Sequence, residues 1–256
     1  MAFYLLISMF VGMLVIYKCI SWQTQIPERK RKLKQSERLL VVIAHPDDEC
    51  MFFGPLIVTA VRKWCLEDVF VLCCSIGNHY GMGDIRKREL VEACEILGVH
   101  RDNIKCIDDP ALPDDPEVDW SQLRLRSLIT DTISEWNPSV IATFDESGVS
   151  EHRNHRDLSR CLTAMQKNAA YCMKGRRLLV LDTVNSVRKY LQYIDIPITL
   201  YGDWDLITIV SRDHTGRIQR AMRCHASQMV WFRWLYIVFS RYMVVNTFRE
   251  ISKQNA

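Results

Sequence analysis

Residues 39–49 read LLVVIAHPDDE, and this junction between an apolar run and a polar cluster decides the fold. The apolar part, 39–44, is typical of a strand buried on both faces, as in parallel sheets. Similar short apolar runs recur at 69–74, 103–107, 140–143, 178–184 and 206–210. Segments with helical spacing lie between them at 84–99, 123–136 and 158–170, the first with Asp84 as its expected cap. We therefore predict a three-layer, Rossmann-like α/β fold with a mostly parallel sheet.

The composition excludes several classes of protein. The chain has 256 residues, of which 48% are hydrophobic and 25% charged, with only 10 Gly and 8 Pro, so it is not a disordered or low-complexity chain. Its net charge is +3, but residues 1–38 carry +5, which leaves −2 on residues 39–256. A nucleic-acid-binding protein concentrates positive charge on its folded domain. We therefore expect no nucleic-acid partner.

The N-terminal segment predicts a membrane anchor at residues 1–22. Residues 1–17 contain no charged side chain, and Trp22 is placed to lie at the membrane interface. A cleaved signal peptide is the alternative, but the segment lacks a positive n-region and an A-x-A-like site. A buried N-terminal helix would show a polar face. A basic linker, 23–38, follows, and its charges place the domain at 39–256 in the cytosol. Ten cysteines without framework spacing fit that reducing compartment.

The polar half of the junction predicts a metal site. One imidazole, His45, is followed by the carboxylates of Asp47, Asp48 and Glu49. Carboxylates this close repel one another, and a divalent cation relieves the repulsion. His45 and Asp48 can point at one metal while Asp47 faces a water molecule. The alternative is a capping turn with Asp47 or Asp48 at the N-cap of a helix, but capping needs one acid only.

A second polar cluster follows the fourth apolar run. Residues 144–155 read FDESGVSEHRNH, and His152 and His155 have the H-x-x-H spacing that places two rings on one face of a helical turn. His79, His100, His214 and His225 lack such a pairing, so we interpret them as ordinary surface or core histidines. Because the carboxyl ends of parallel strands meet at one edge, the two clusters are expected to come together. A catalytic zinc site typically uses three protein ligands.

These motifs resemble the PIG-L (LmbE-like) family of metal-dependent N-acetylglucosamine deacetylases. The similarity spans about 39–230 and includes Ala44 to Glu49, the later H-x-x-H, and H-x-S-Q at 225–228. The resemblance implies Zn²⁺, or another divalent metal, with His45, Asp48 and His155 as ligands. It also implies Asp47 as general base and His152 as support for the oxyanion and the leaving group. Arg86 and Asp114 would contact the substrate.

One position departs from the family pattern. Many bacterial members have an aspartate where this chain has Asn154, so the partner that orients the metal ligands cannot be assigned from the sequence.

The resemblance and the anchor together imply the reaction and its place. The expected substrate is the glycolipid N-acetylglucosaminyl-phosphatidylinositol, deacetylated to glucosaminyl-phosphatidylinositol and acetate during GPI-anchor synthesis at the endoplasmic reticulum membrane. Two alternatives stay open: another N-acetyl-glucosaminide as substrate, or a membrane-tethered binding protein without turnover. The aromatic stretch 230–245 is either an interfacial helix on the bilayer or a final core element.

Overall fold

The computed structural model describes residues 32–66, 68–168 and 170–252. The predicted anchor, 1–22, and the linker as far as residue 31 lie outside the described residues, so the structure does not test them. Within the described ranges, no helix is both long enough and apolar enough to cross a bilayer.

A mixed sheet organises the described residues. Its strands in chain order are β1 (Arg38–Ile43), β2 (Asp68–Cys73), β3 (Ile104–Cys106), β4 (Val140–Phe144), β5 (Arg177–Leu181), β6 (Leu206–Ile209) and β7 (Val245–Ile251). The spatial order is β3-β2-β1-β4-β5-β7-β6. Strands β1 to β5 are parallel, whereas β7 runs antiparallel to β5 and β6. The predicted mostly parallel α/β fold is confirmed, and the sequence analysis missed β7.

The helices connect these strands. They are α1 (Asp48–Met51), α2 (Gly54–Arg62), α3 (Gly83–Leu97), α4 (Gln122–Trp136), α5 (Gly148–Glu151), α6 (Arg153–Lys167), α7 (Ser186–Lys189), α8 (Asp195–Tyr201), α9 (Arg212–Cys224) and α10 (Trp231–Phe239). Short 3₁₀ turns lie at Arg101–Asn103, Tyr171–Met173, Gln192–Ile194, Ala226–Gln228 and Arg241–Met243. The expected Asp84 cap is wrong, since α3 begins at Gly83 without a side-chain cap.

The helices form two layers around the sheet. Helices α2, α3 and α9 pack on one another, and α4 packs on α6. The chain moves from β1 through β2 to β3 on one side of β1 and returns to β4 on the other. Because parallel crossovers are right-handed, this reversal places α4 on the face opposite α2 and α3. The result is the predicted three-layer arrangement.

The reversal positions the site. Ligands of open parallel sheets bind in the crevice outside the carboxyl ends of the strands where the strand order reverses. Here that point lies between β1 and β4, which pair directly. Leu39 to Ile43 of β1 are fully buried, so the strand is a rigid support. Both polar clusters follow these two strands and therefore meet at this crevice.

Candidate active site

The turn after β1 is shaped by Asp48. Its Oδ2 accepts hydrogen bonds from the backbone N–H of Ala44 (3.0 Å) and of His45 (2.9 Å), which folds the chain back at the end of the strand. Asp47 precedes α1, but its side chain makes no capping hydrogen bond. Its φ of 120° is a backbone conformation that non-glycine residues rarely adopt. Such strain concentrates at functional sites. The turn is therefore not a simple helix cap.

The loop after β4 is shaped by Asp145. Its carboxylate accepts hydrogen bonds from the backbone N–H of Ser147 (3.1 Å), Gly148 (3.0 Å) and Thr183 (2.7 Å). The carbonyl of Gly148 in turn lies 3.0 Å from Nδ1 of His155, which fixes that ring. The other ring nitrogen, Nε2, points at Asp48.

The two segments bring the predicted ligands together. Nε2 of His155 lies 3.2 Å from Oδ1 of Asp48, and Nδ1 of His45 lies 3.9 Å from Oδ2 of Asp48. Ligand atoms of His45, His152 and His155 all lie within 4.8 Å of one another. Nε2 of His155 is buried and has no hydrogen-bond partner. An orphaned imidazole nitrogen facing a carboxylate and a second imidazole fits a divalent cation, so the residues present match the implied metal.

The ionisation of these groups suits metal binding. Burial lowers the pKa of His45 to about 4, which leaves the ring neutral. Burial alone would raise the pKa of Asp48, but the attraction of His155 and His45 outweighs it and the net shift is downward. Metal ligands must be deprotonated. His45 and Asp48 meet that requirement at neutral pH. Burial alone would lower the pKa of His155, but the attraction of Asp48 outweighs it and the net shift is upward, so metal binding there would displace a proton.

Asn154 is the residue whose role as an orienting partner of the metal ligands could not be assigned from the sequence. Its Oδ1 lies 3.2 Å from Nε2 of His45, and Oδ1 of Asp114 lies at the same distance from that nitrogen. Both contacts engage the ring nitrogen that faces away from Asp48. Outer partners of this kind fix the tautomer and orientation of a ligating histidine. Asp114, predicted to contact the substrate, is thus also placed to orient His45.

Arg86 is largely occupied by protein groups. It donates hydrogen bonds to the carbonyls of Gly77 (2.9 Å) and Pro46 (2.8 Å) and to Oδ2 of Asp114 (3.1 Å). Gly77 has a φ of +70°, and a Cβ there would lie 2.5 Å from the guanidinium. Arg86 lines the cavity but is 6% exposed, so its contact with substrate stays a prediction.

Two further interactions at Asp47 were missed by the sequence analysis. Nη2 of Arg233 donates to Oδ2 of Asp47 at 2.9 Å. The backbone N–H of Asp47 donates to Oε2 of Glu49 at 3.0 Å, and Oε1 of Glu49 lies 2.5 Å from Nε2 of the buried His225. His225 is therefore part of a buried pair that supports the turn. The H-x-S-Q motif in the sequence could have indicated that His225 belongs to the site, but no local sequence pattern predicts the contact of Arg233.

Burial controls the pKa of Asp47. It raises that pKa above the ordinary aspartate value, and the repulsion of Asp48 adds to the effect, while Arg233 and Arg86 oppose it. A buried carboxylate with a raised pKa is the arrangement that a general base needs near neutral pH.

A cavity of about 470 Å³ opens over these groups. The histidines and aspartates of the site line it, and so do Lys189, Tyr190, Phe232, Arg233 and Tyr236. His79, predicted to be an ordinary histidine, also lines the cavity, and its Nδ1 lies 3.0 Å from the carbonyl of Asp114. Fold and site together define a Rossmann-like α/β protein with a buried histidine–aspartate centre that can hold a metal.

Comparison with known proteins narrows this class. The family model PIG-L, described as GlcNAc-PI de-N-acetylase, matches residues 40–166. N-acetylglucosaminyl-phosphatidylinositol de-N-acetylase of Bos taurus is 39% identical over 228 residues, covering 89% of each chain. The probable enzyme of that name from Schizosaccharomyces pombe is 38% identical, covering 84% of this chain and 87% of the other. The chain therefore belongs to the PIG-L family, whose members are metal-dependent deacetylases, and the resemblance seen in the sequence is confirmed.

The fold also matches a solved structure. N,N'-diacetylchitobiose deacetylase from Pyrococcus horikoshii superposes with a TM-score of 0.60 at 17% identity, covering 84% of each chain. At that identity the comparison supports the fold alone.

Proposed function

We propose that this chain hydrolyses the N-acetyl group of N-acetylglucosaminyl-phosphatidylinositol, giving glucosaminyl-phosphatidylinositol and acetate. The observation that carries the proposal is the convergence of His45, Asp48 and His155 beside the buried Asp47. The 39% identity to a relative of that name across 89% of the chain supports the choice of substrate.

The metal site would be formed by His45, Asp48 and His155, with Zn²⁺ as the first candidate. A divalent cation bound there supplies a nucleophilic water at neutral pH and polarises the amide carbonyl. Histidine–aspartate sites accept several metals, so the choice among Zn²⁺, Fe²⁺ and Mn²⁺ is made by experiment.

Asp47 would act as the general base. Its carboxylate lies at the cavity, held from one side by Arg233 at 2.9 Å and through its backbone by Glu49. It accepts the proton of the attacking water, and that proton is then available to the departing nitrogen. Positioned general bases contribute about 10²- to 10⁴-fold to rates.

His152 would support the developing oxyanion. Its ring centroid lies 4.8 Å from those of His45 and His155, and its buried Nδ1 has no partner. Burial and the neighbouring His155 lower its pKa, so the ring is a neutral N–H donor at pH 7. One such preorganised donor stabilises a tetrahedral intermediate by roughly 3–4 kcal/mol.

A membrane location follows from the lipid nature of the substrate. Helix α10 lines the cavity through Phe232, Arg233 and Tyr236, and its Ile237 is buried in the core. Trp231 is 75% exposed and Trp234 48%, and Leu235, Val238 and Phe239 are also exposed. An exposed apolar helix face is typical of a helix lying in the bilayer interface. We propose that this face contacts the endoplasmic reticulum bilayer from the cytosolic side, held there by the anchor at 1–22.

Acetate release from N-acetylglucosaminyl-phosphatidylinositol by the detergent-solubilised full chain tests the proposal. The expected result is release that stops with chelator and returns on adding one divalent metal to the stripped protein. Acetate release only from other N-acetyl-glucosaminides would mean that one of them, and not the phosphoinositide, is the substrate. Folded, metal-loaded protein that releases acetate from none of them would favour the binding-protein alternative.

A further inference from the structure

Two cationic side chains line the cavity beside the candidate metal centre. Lys189 ends α7, and Arg233 lies in the first turns of α10. Both line the same cavity, together with Tyr190 and Tyr236. Neither belongs to the candidate metal centre.

Lys189 differs from its neighbour Arg188. Arg188 is bound by Asp195, with Nε–Oδ1 and Nη2–Oδ2 distances of 2.7 and 3.0 Å. Lys189 pairs with no carboxylate among the residues that the structure describes; its Nζ lies 5.9 and 6.0 Å from the ring centroids of Tyr190 and Tyr236. The half-buried ammonium group therefore keeps its hydrogen-bond donors for a ligand.

Arg233 adds to the positive potential. Its one carboxylate partner within the described residues is Asp47, bound through Nη2. Burial, and then the repulsion of the nearby Arg233, lower the pKa of Lys189. An anion placed between Lys189 and Arg233 would relieve that repulsion.

We propose that Lys189 and Arg233 bind the phosphodiester group of the substrate. This inference rests on the proposed function, because it takes the substrate to be a phosphoinositide. When the N-acetyl group is at Asp47 and the histidines, the phosphodiester is joined to it through the inositol ring, and Lys189 and Arg233 line the same cavity. The acyl chains continue towards the exposed apolar face of α10. Lysine and arginine are the residues that bind phosphate groups through charge-assisted hydrogen bonds.

The test compares two water-soluble substrates with the full chain in neutral detergent. One is N-acetylglucosaminyl-inositol, and the other is the methyl phosphodiester of the same compound, so that they differ in the anion alone. We expect kcat/KM to favour the diester about tenfold, the effect of one hydrogen bond to a charged group. Lys189→Gln should remove most of that ratio, Lys189→Arg should retain it, and Lys63→Gln, an exposed cation remote from the cavity, should leave it intact.

Each failure has a different meaning. A ratio that is unchanged in Lys189→Gln overturns the subsite. An effect of Lys189→Gln confined to vesicles containing phosphatidylserine would mean that the cation contacts bilayer headgroups, which also overturns it. Competition by inorganic phosphate shows whether a free anion suffices. If neither compound releases acetate, the proposed function fails, and calorimetric binding of the diester still tests the subsite, with about tenfold weaker binding expected for Lys189→Gln.

Discussion

Nη2 of Arg233 lies 2.9 Å from Oδ2 of Asp47, a contact that joins residues 186 positions apart. It links α10, whose outer face is apolar and exposed, to the candidate base after β1. The helix proposed to contact the bilayer is therefore directly connected to the chemistry.

Replacing Arg233 should change the pH dependence of activity. The base works only when ionised, so activity falls as the pH drops through the pKa of Asp47. Burial raises that pKa and Arg233 lowers it. In Arg233→Gln the opposing charge is lost, the pKa rises, and the acid limb of the kcat/KM profile should move to higher pH. Profiles of both proteins with the soluble phosphate-free substrate measure the shift.

Arg153→Gln is the matched control, because this exposed arginine pairs with Asp119 outside the cavity. A limb that stays in place in Arg233→Gln would contradict the assignment of Asp47 as the titrating base.

Asp47 and His155 should separate turnover from metal binding. Asp47→Asn keeps the shape of the turn and removes the base, so metal content should be preserved while turnover falls about 10²- to 10⁴-fold. His155→Ala removes a predicted ligand and should lose both. Elemental analysis of the purified proteins, beside acetate release, measures the two effects. Equal metal loss in both variants would contradict the assignment of Asp47 as base and His155 as ligand.

Asn154 should contribute to metal affinity without touching the metal. Its Oδ1 lies 3.2 Å from Nε2 of His45, and partners of this kind typically change metal affinity 10- to 100-fold. Asp114 shares that nitrogen, so we expect Asn154→Leu to weaken binding about tenfold and Asn154→Asp to retain it. Competition with a chromophoric chelator reports the affinity. Equal weakening in the two variants would indicate a packing defect instead.

The sequence predicted those parts of the candidate site that lie in short local motifs. His45 to Asp48 and His152 to His155 are short motifs after buried strands, and parallel pairing of β1 with β4 brings such motifs together. Contacts such as Arg233 with Asp47 leave no local pattern, because they depend on how α10 packs.

The last strand was missed for a related physical reason. Residues 230–245 are rich in aromatic side chains throughout and look like one element in the sequence. In the structure they form three: the exposed helix α10, a buried 3₁₀ turn at Arg241–Met243 and the start of β7. The alternative of a core element is thus correct for residues 241–245, and the interfacial position of α10 stays a prediction. Hydropathy does not distinguish an apolar side chain that faces solvent or lipid from one that faces the core.

Asp195 should be essential for stability. The carboxylate is fully buried and pairs with Arg188 and with the equally buried Arg241, whose Nε lies 2.7 Å away. Asp195→Ala leaves a buried guanidinium unpaired, so we expect a loss of about 3–5 kcal/mol in the free energy of unfolding. Urea denaturation followed by circular dichroism measures it. Asp102→Ala, whose side chain is 87% exposed, should change stability by less than about 0.5 kcal/mol.

The exposed face of α10 should matter only for substrate held in a bilayer. In the double variant Trp231→Ser, Trp234→Ser the helix keeps Arg233 and the buried Tyr236, but it loses much of the apolar area available to the membrane. At about 25 cal/mol per Å² of apolar surface, losing most of that contact corresponds to about a tenfold fall in kcat/KM on vesicle-embedded substrate. Activity on the soluble diester should fall much less, because neither tryptophan lines the cavity. Leu123→Ser, at an 82% exposed position on α4, is the control. An equal fall on both substrates would mean that the exposed face supports the fold of α10. Unchanged activity on vesicles would mean that the face does not contact the bilayer and instead binds a second copy of this chain or another protein.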